Sequence, residues 1–104
     1  MGDRVAEMNA LSGLGLACHQ LGQFTQAIGY QQQSSAIAVE LGDRFAEGTA
    51  LGNLAAAYQV LSQPEPAVQY AQKHLEIAKQ IDDRAGEMRA IAILNEPDPT
   101  DYVK

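Results

Sequence analysis

Cysteine, tryptophan and basic residues are scarce in this chain of 104 residues. The single cysteine, Cys18, excludes a disulfide within the chain and a zinc site built from several cysteines. Seven basic against thirteen acidic residues give a net charge of −6, which argues against a nucleic-acid-binding surface. No apolar run approaches the roughly 18–20 residues that cross a bilayer, and no signal-peptide core opens the sequence. We therefore expect one small cytoplasmic domain with neither nucleic-acid nor membrane partners.

What the chain has instead is an internal repeat of 40 residues. Gly2-Asp3-Arg4 returns as Gly42-Asp43-Arg44, and residues 2–41 laid on 42–81 give 16 identities in 40 positions, far above chance. The spacing predicts a first repeat at 2–41, a second at 42–81 and a partial third repeat or capping helix at 82–95. The remaining residues, 96–104, are acidic and broken by prolines, so we expect a disordered tail.

The apolar residues within each repeat recur at steps of three and four, which is helical spacing. The stripes expected to face the core begin each repeat and comprise Leu11, Leu14, Cys18, Leu21 and, 40 residues later, Leu51, Leu54, Tyr58, Leu61. The second halves carry the sets Phe24, Ala27, Ile28, Gln31, Ile37, Ala38, Leu41 and Ala67, Val68, Ala71, Leu75, Ala78, Ile81. No long stretch alternates with period two. The pattern predicts an all-α fold of five helices, at 3–21, 24–41, 43–61, 64–81 and 83–95.

Turn residues agree with these boundaries. Gly22 and Gly42 can adopt the left-handed conformation that ends a helix. Asp43 can cap the next helix, and we expect the pair Asp82-Asp83 to do the same at the third start. Pro64 stands where a first helical turn tolerates proline.

The residues at fixed positions in both copies resemble the tetratricopeptide repeat. The first copy reads Leu14-Gly15-x-x-Cys18, and the second reads Leu54-Ala55-x-x-Tyr58. The second departs from the pattern at Ala55, Ser62 and Pro64, which replace two glycines and an aromatic residue. The common repeat has about 34 residues, and the longer period here is similar to a long-repeat branch that includes the G-protein-signalling modulators of the LGN and Pins type. The resemblance implies an α-solenoid of antiparallel helix pairs, about 2.5 tetratricopeptide repeats within a longer array.

The resemblance also implies a function, since the first helices of such repeats form the inner wall of a groove that binds a partner's peptide. Besides Gly13 and Gly52, the motif frame assigns to this wall Asn9, Ser12, Leu16, His19, Thr49, Asn53, Ala56, Gln59 and Arg89. Asn53 and Arg89 are similar to the residues by which long-repeat members hold a peptide's backbone and acids. The wall has no lysine, so we do not expect a clamp for an acidic C-terminal peptide. The chain is therefore interpreted as a protein-interaction scaffold.

A structural role is the alternative. The chain would then be a spacer or a self-associating segment of a longer repeat protein, because the ends of a solenoid expose apolar surface. The residues expected at the two ends are Val5, Met8, Leu11 and Met88, Ile91, Leu94.

Catalysis has little support in the sequence. His19 and His74 occupy ordinary helical positions, and Cys18 stands where the second copy has Tyr58, a core position. Gly13-Leu14-Gly15 lacks the preceding strand that a phosphate-binding loop needs. We expect no enzyme activity, no cofactor and no metal site.

Overall fold

The computed structural model describes residues 3–95 of the chain, which form five α-helices and contain no strand. The helices are α1 (Arg4–Gln20), α2 (Phe24–Leu41), α3 (Arg44–Val60), α4 (Pro64–Gln80) and α5 (Arg84–Leu94). The predicted all-α fold is confirmed, and each helix bound lies within one residue of the expected one. The expected disordered tail lies outside the described residues.

Each helix packs against the next one along the chain. Because only two or three residues connect these neighbours, successive helices run antiparallel. α3 also contacts α1 and α5, so the odd-numbered helices lie side by side and α2 and α4 form the other layer. The result is an elongated helical repeat array measuring 57 × 31 × 18 Å.

The repeated segment Gly-Asp-Arg-x-x-Glu builds the start of each first helix. The Asp43 carboxylate accepts a hydrogen bond from the Ala46 backbone N–H at 3.0 Å, which caps α3 as expected. Arg44 pairs with Glu47 at 3.0 Å and also hydrogen-bonds Gln80 at the end of α4. The segment therefore caps one helix and ties it to the end of its partner.

Helices α1 to α4 all end through a residue with positive φ. These residues are Gly22, Gly42, Ser62 and Asp82. The backbone N–H of the following residue then reaches the carbonyl five positions back, as Asp83 does to Ala78 at 2.8 Å. The expectation that Asp82 helps to cap α5 is wrong, because Asp82 has φ 56° and ends α4, while Asp83 alone caps α5.

The larger core cluster is centred on α3. Leu51 and Leu54 lie between Ile28 of α2 and Ile77 of α4, and the ring of Tyr70 stacks nearby on that of Tyr58 at 5.7 Å. A second cluster joins Met8 of α1 to residues of α2. α3 therefore has an apolar neighbour on both of its sides.

The expected leucine stripe of the first repeat is wrong in part. Leu14 is 47 % exposed and Leu21 is 73 % exposed, whereas Leu54, the equivalent of Leu14, is 1 % exposed. The reason is that α2 covers this face of α3, while no described helix covers it on α1. Leu41, at the end of the α2 set, is exposed as well.

Candidate functional site

Three adjoining pockets run along the inner side of α1, α3 and α5. Each one contains a buried polar residue from α2 or α4, and we name the pockets after these residues: the Ser34 pocket, the Gln31 pocket and the His74 pocket. Their volumes are about 220, 110 and 540 Å³ respectively. The pockets share lining residues, so they form one continuous groove.

Ten of the eleven residues assigned to the inner wall from the sequence line this groove, Gly52 among them, whereas Gly13 lines none of the three pockets. Asn9, Ser12 and Thr49 line the Ser34 pocket. Leu16, His19, Asn53 and Ala56 line the Gln31 pocket. Thr49, Asn53, Ala56, Gln59 and Arg89 line the His74 pocket. Their location therefore follows the expected frame, and their role in binding stays a prediction.

The buried polar group at the bottom of the Ser34 pocket has a hydrogen-bond partner. The Ser34 hydroxyl donates to the Met8 carbonyl at 3.3 Å, and Ser34 is buried. Phe45 lies at the rim shared with the His74 pocket. Among the described residues that line this end of the groove, no buried polar side-chain atom lacks a hydrogen-bond partner.

At the bottom of the Gln31 pocket, only one of the two polar atoms of the Gln31 side chain has a hydrogen-bond partner. The Gln31 side-chain Nε2 donates to the Ser12 carbonyl at 3.3 Å, but its Oε1 is buried without a partner. A Cβ on Gly15 would lie 2.5 Å from Gln31 Nε2, so any larger residue at position 15 would require the Gln31 side chain to move. The Nδ2 of Asn53, on the same pocket, is also buried without a partner. An unpaired acceptor and an unpaired donor thus border one small pocket.

The His74 pocket is the largest and carries the groove's cation. Its apolar part comes from α3 and α5, and its polar part comes from Asn53, Gln59, Arg89 and the buried ring of His74. None of its lining residues is acidic. His74 is 1 % exposed, and neither ring nitrogen has a hydrogen-bond partner. Burial lowers the pKa of His74 below its ordinary value, Arg89 lowers it further and Asp83 opposes them.

Sequence reasoning missed Gln31 and His74 as groove residues because both belong to second helices. Their signal was present in the comparison of the two repeats. Gln31 lies opposite Gly15 where the second repeat pairs Ala71 with Ala55, and His74 replaces Ser34. Exchanges of small and large residues between copies marked the places where a second helix reaches the groove.

The groove is equipped for hydrogen bonding and charge recognition. The carboxylates of Asp3, Asp43 and Asp83 cap helices, and the ring of His19 packs edge-on against Phe24 at 4.9 Å. Within residues 3–95, no group of three His, Cys, Asp or Glu residues is placed to hold a metal ion. None of the described helices is long and apolar enough to span a membrane.

Comparison with known proteins identifies the repeat. The family model described as "Tetratricopeptide repeat" matches residues 6–80, which includes nearly all of α1 and the whole of α2 to α4. No curated protein matches the chain. Repeats of this family generally mediate protein–protein interaction and are non-catalytic. The matched helices, their pairing and the groove along their inner side agree with that match, and the chain belongs to the tetratricopeptide repeat family.

Proposed function

We propose that this chain is an interaction scaffold that binds an extended peptide segment of a partner protein in the groove. One observation carries the proposal. Among residues 3–95, the buried side-chain polar atoms without a partner belong to Gln31, Asn53 and His74, and all three residues line the groove. A buried polar group without a partner costs about 1–3 kcal/mol. A ligand that supplies these partners recovers that cost.

The Gln31 pocket suits the backbone of the peptide. Gln31 Oε1 can accept a hydrogen bond from a peptide N–H, and Asn53 Nδ2 can donate one to a peptide carbonyl. An extended segment exposes both groups, which a helical or folded segment uses internally. The unpaired atoms therefore favour an extended ligand.

The His74 pocket suits an acidic side chain of the same peptide. Arg89 lines this pocket and makes no ion pair with another described residue, because the ion pairs within 3–95 involve Arg4 and Arg44. A guanidinium group binds a carboxylate through two parallel hydrogen bonds. Asn53 borders both pockets, so one ligand can contact both. This arrangement, together with the 40-residue period, supports assignment to the long-repeat type.

The test is an array of extended peptides of varied charge, with the affinity of each hit measured by fluorescence polarisation. We expect acidic peptides to bind, with micromolar or weaker affinity because so few residues make contact. Arg89→Ala should weaken them by about 1–3 kcal/mol, and adding Asn53→Ala should weaken them further. Arg84→Ala is the matched control, an exposed arginine on α5 outside the groove. Equal affinity of the wild type and the double variant would refute the groove assignment.

A second candidate function is supported by the open face of α1. Ala10, Leu14 and Ala17 are all exposed on α1. Their equivalents on α3, Ala50, Leu54 and Ala57, are buried. Their small and apolar character suits close packing of another helix. The alternative proposal is therefore a structural segment that associates through this face.

A further inference from the structure

His74 occupies a cradle built by three glycines on two other helices. A Cβ on Gly52 would lie 2.5 Å from the ring Nδ1, and one on Gly86 would lie 3.1 Å from Nε2. A Cβ on Gly48 would lie 3.5 Å from the ring carbon Cδ2. α3 and α5 therefore approach the ring from opposite edges, and glycine at 52 is required by the closest approach.

The cradle is specific to the second repeat. Residue 34 of the first repeat is serine where the second has His74. The residues equivalent to Gly48, Gly52 and Gly86 are Met8, Ser12 and Ala46. The three neighbours of the histidine are glycines, whereas Ser34 has larger residues at the equivalent positions and makes a hydrogen bond. The ring is therefore accommodated by its surroundings at three separate positions, although both of its nitrogens lack partners.

The two edges of the ring face different surroundings. The Nε2 edge lies toward Gly86 and the carboxylate of Asp83, which also approaches the Cβ position of Gly86. The Nδ1 edge lies against Gly52, which lines the His74 pocket. An imidazolium needs an acceptor or a negative charge on each side. Asp83 supplies negative charge near one edge, and the pocket side has none.

The remaining charged groups near the ring have other positions or partners. On α5, Arg89 lines the pocket and disfavours a positive ring. On α3, Arg44 and Glu47 pair with each other and line a separate pocket together with Lys73 and Glu76 of α4. The groups that act on the ring are therefore Asp83, Arg89 and whatever enters the His74 pocket.

We propose that the His74 pocket binds the carboxylate of an acidic peptide side chain and that His74 takes up a proton from solvent as the carboxylate enters. The inference rests on the proposed peptide binding and adds proton uptake by His74, and with it a dependence of binding on pH. The carboxylate offsets the charge of Arg89 and provides the negative charge missing on the Nδ1 side. An opposite charge within about 4–6 Å favours the charged form of a titrating group, so uptake of the proton does not require direct contact.

The direction of the pH dependence follows from this coupling. In the free protein burial and Arg89 keep the pKa of His74 below its ordinary value. A bound carboxylate raises this pKa, so binding becomes tighter as the pH falls. A glutamate side chain remains mostly ionised above about pH 5, since its ordinary pKa is about 4.3.

The experiment uses the wild-type protein, in which the ring signals of the two histidines are assigned by comparison with His74→Gln. NMR of the His74 ring is followed through a pH titration without ligand, with N-acetyl-glutamate amide and with the neutral N-acetyl-glutamine amide. We expect the pKa of His74 to rise by about one unit with the glutamate probe, equivalent to about tenfold tighter binding at low pH. The glutamine probe should leave the pKa unchanged.

The same variant, His74→Gln, keeps a polar side chain that does not titrate. Its affinity for the glutamate probe should be the same at about pH 5.5 and about pH 7.5, while the wild type shows the pH dependence. Failure of the glutamate probe to bind, an unchanged His74 pKa in its presence, or an equal rise with both probes would overturn the inference. Peptides that still lose affinity on changing Arg89 and Asn53 would leave the proposed function standing in each case.

Discussion

Two of the four residues that end α1 to α4 with positive φ are not glycine. Ser62 has φ 59° and Asp82 has φ 56°, and the residues 40 positions earlier are Gly22 and Gly42. A residue with a Cβ in this conformation costs roughly 1–2 kcal/mol more than glycine. At the residue scale, the ends of α3 and α4 therefore carry strain that the ends of α1 and α2 avoid.

Relief of that strain gives a prediction. Ser62→Gly should stabilise the protein by about 1 kcal/mol, because the turn keeps its backbone hydrogen bonds and loses the unfavourable Cβ contact. Urea denaturation measures the change in the free energy of unfolding. Gly22→Ser is the matched control and should destabilise by a similar amount. No difference between the wild type and either variant would show that these turns relax without cost.

The buried histidine gives a second prediction at this scale. Because burial first and Arg89 second lower its native pKa, His74 binds a proton less readily when folded than when unfolded. Stability should therefore be lost as the pH falls below about 6.5, by up to about 1.4 kcal/mol for each unit of the shift, and level off below the lowered native pKa. Urea denaturation at several pH values should show this loss, and His74→Gln should remove it. Identical pH profiles for the two proteins would contradict the prediction.

At the scale of the helices, stability depends on how many neighbours each one has. α3 packs against α2 on one side and α4 on the other, whereas α1 packs mainly against α2. The same side chain at equivalent positions therefore contributes different amounts to the free energy of unfolding. Leu54 and Leu14 are the clearest pair, since one is buried and the other is half exposed.

Their truncation gives a matched prediction. Leu54→Ala should cost about 2–5 kcal/mol, the usual range for a large-to-small change in a packed interior. An array of this size has little stability in reserve, so this variant should be largely unfolded at body temperature. Leu14→Ala should cost much less, because its side chain already contacts water. Thermal melts followed by circular dichroism compare the two, and equal costs would mean that α1 is covered in solution.

For the whole molecule, the open faces at the two ends are the main feature beyond the groove. Val5 and Leu14 are exposed on α1, and Met88 and Ile91 are exposed on α5. The expectation that Met8 belongs to the exposed end is wrong, because Met8 is buried against Ile37 and Ala38 of α2. The remaining end residues stay candidates for self-association.

This association can be tested by placing a charge on the open face. Light scattering at increasing protein concentration should show the wild type forming dimers or larger species. Leu14→Glu should keep the protein monomeric, because burial of an unpaired charge is unfavourable. Val39→Glu is the control, since Val39 is an exposed aliphatic residue on α2 rather than at an end. A wild type that stays monomeric at high concentration would rule out self-association through these faces.

The helices and turns of this protein were predictable from the sequence because their causes are local. The apolar periodicity, the capping residue Asp43 and the positive-φ position of Gly42 act within a few residues along the chain. The repeat itself made these signals stronger, since each occurred at least twice. The inner wall was also predictable, because the motif frame determines which face of the first helices lines the groove.

The burial of the apolar side chains and the polar groups at the bottom of the groove depended on contacts between residues far apart in sequence. Leu14 and Leu54 occupy the same repeat position. Leu54 is buried because α2 packs against it, whereas Leu14 is exposed because no described helix covers it. His74 reaches its pocket because Gly52 and Gly86, on two other helices, leave room for the ring. Sequence alone therefore determined the helices, most of their ends and most of the residues that line the groove. Tertiary structure decided which apolar faces are covered and which buried polar groups meet the groove, because both require packing between helices.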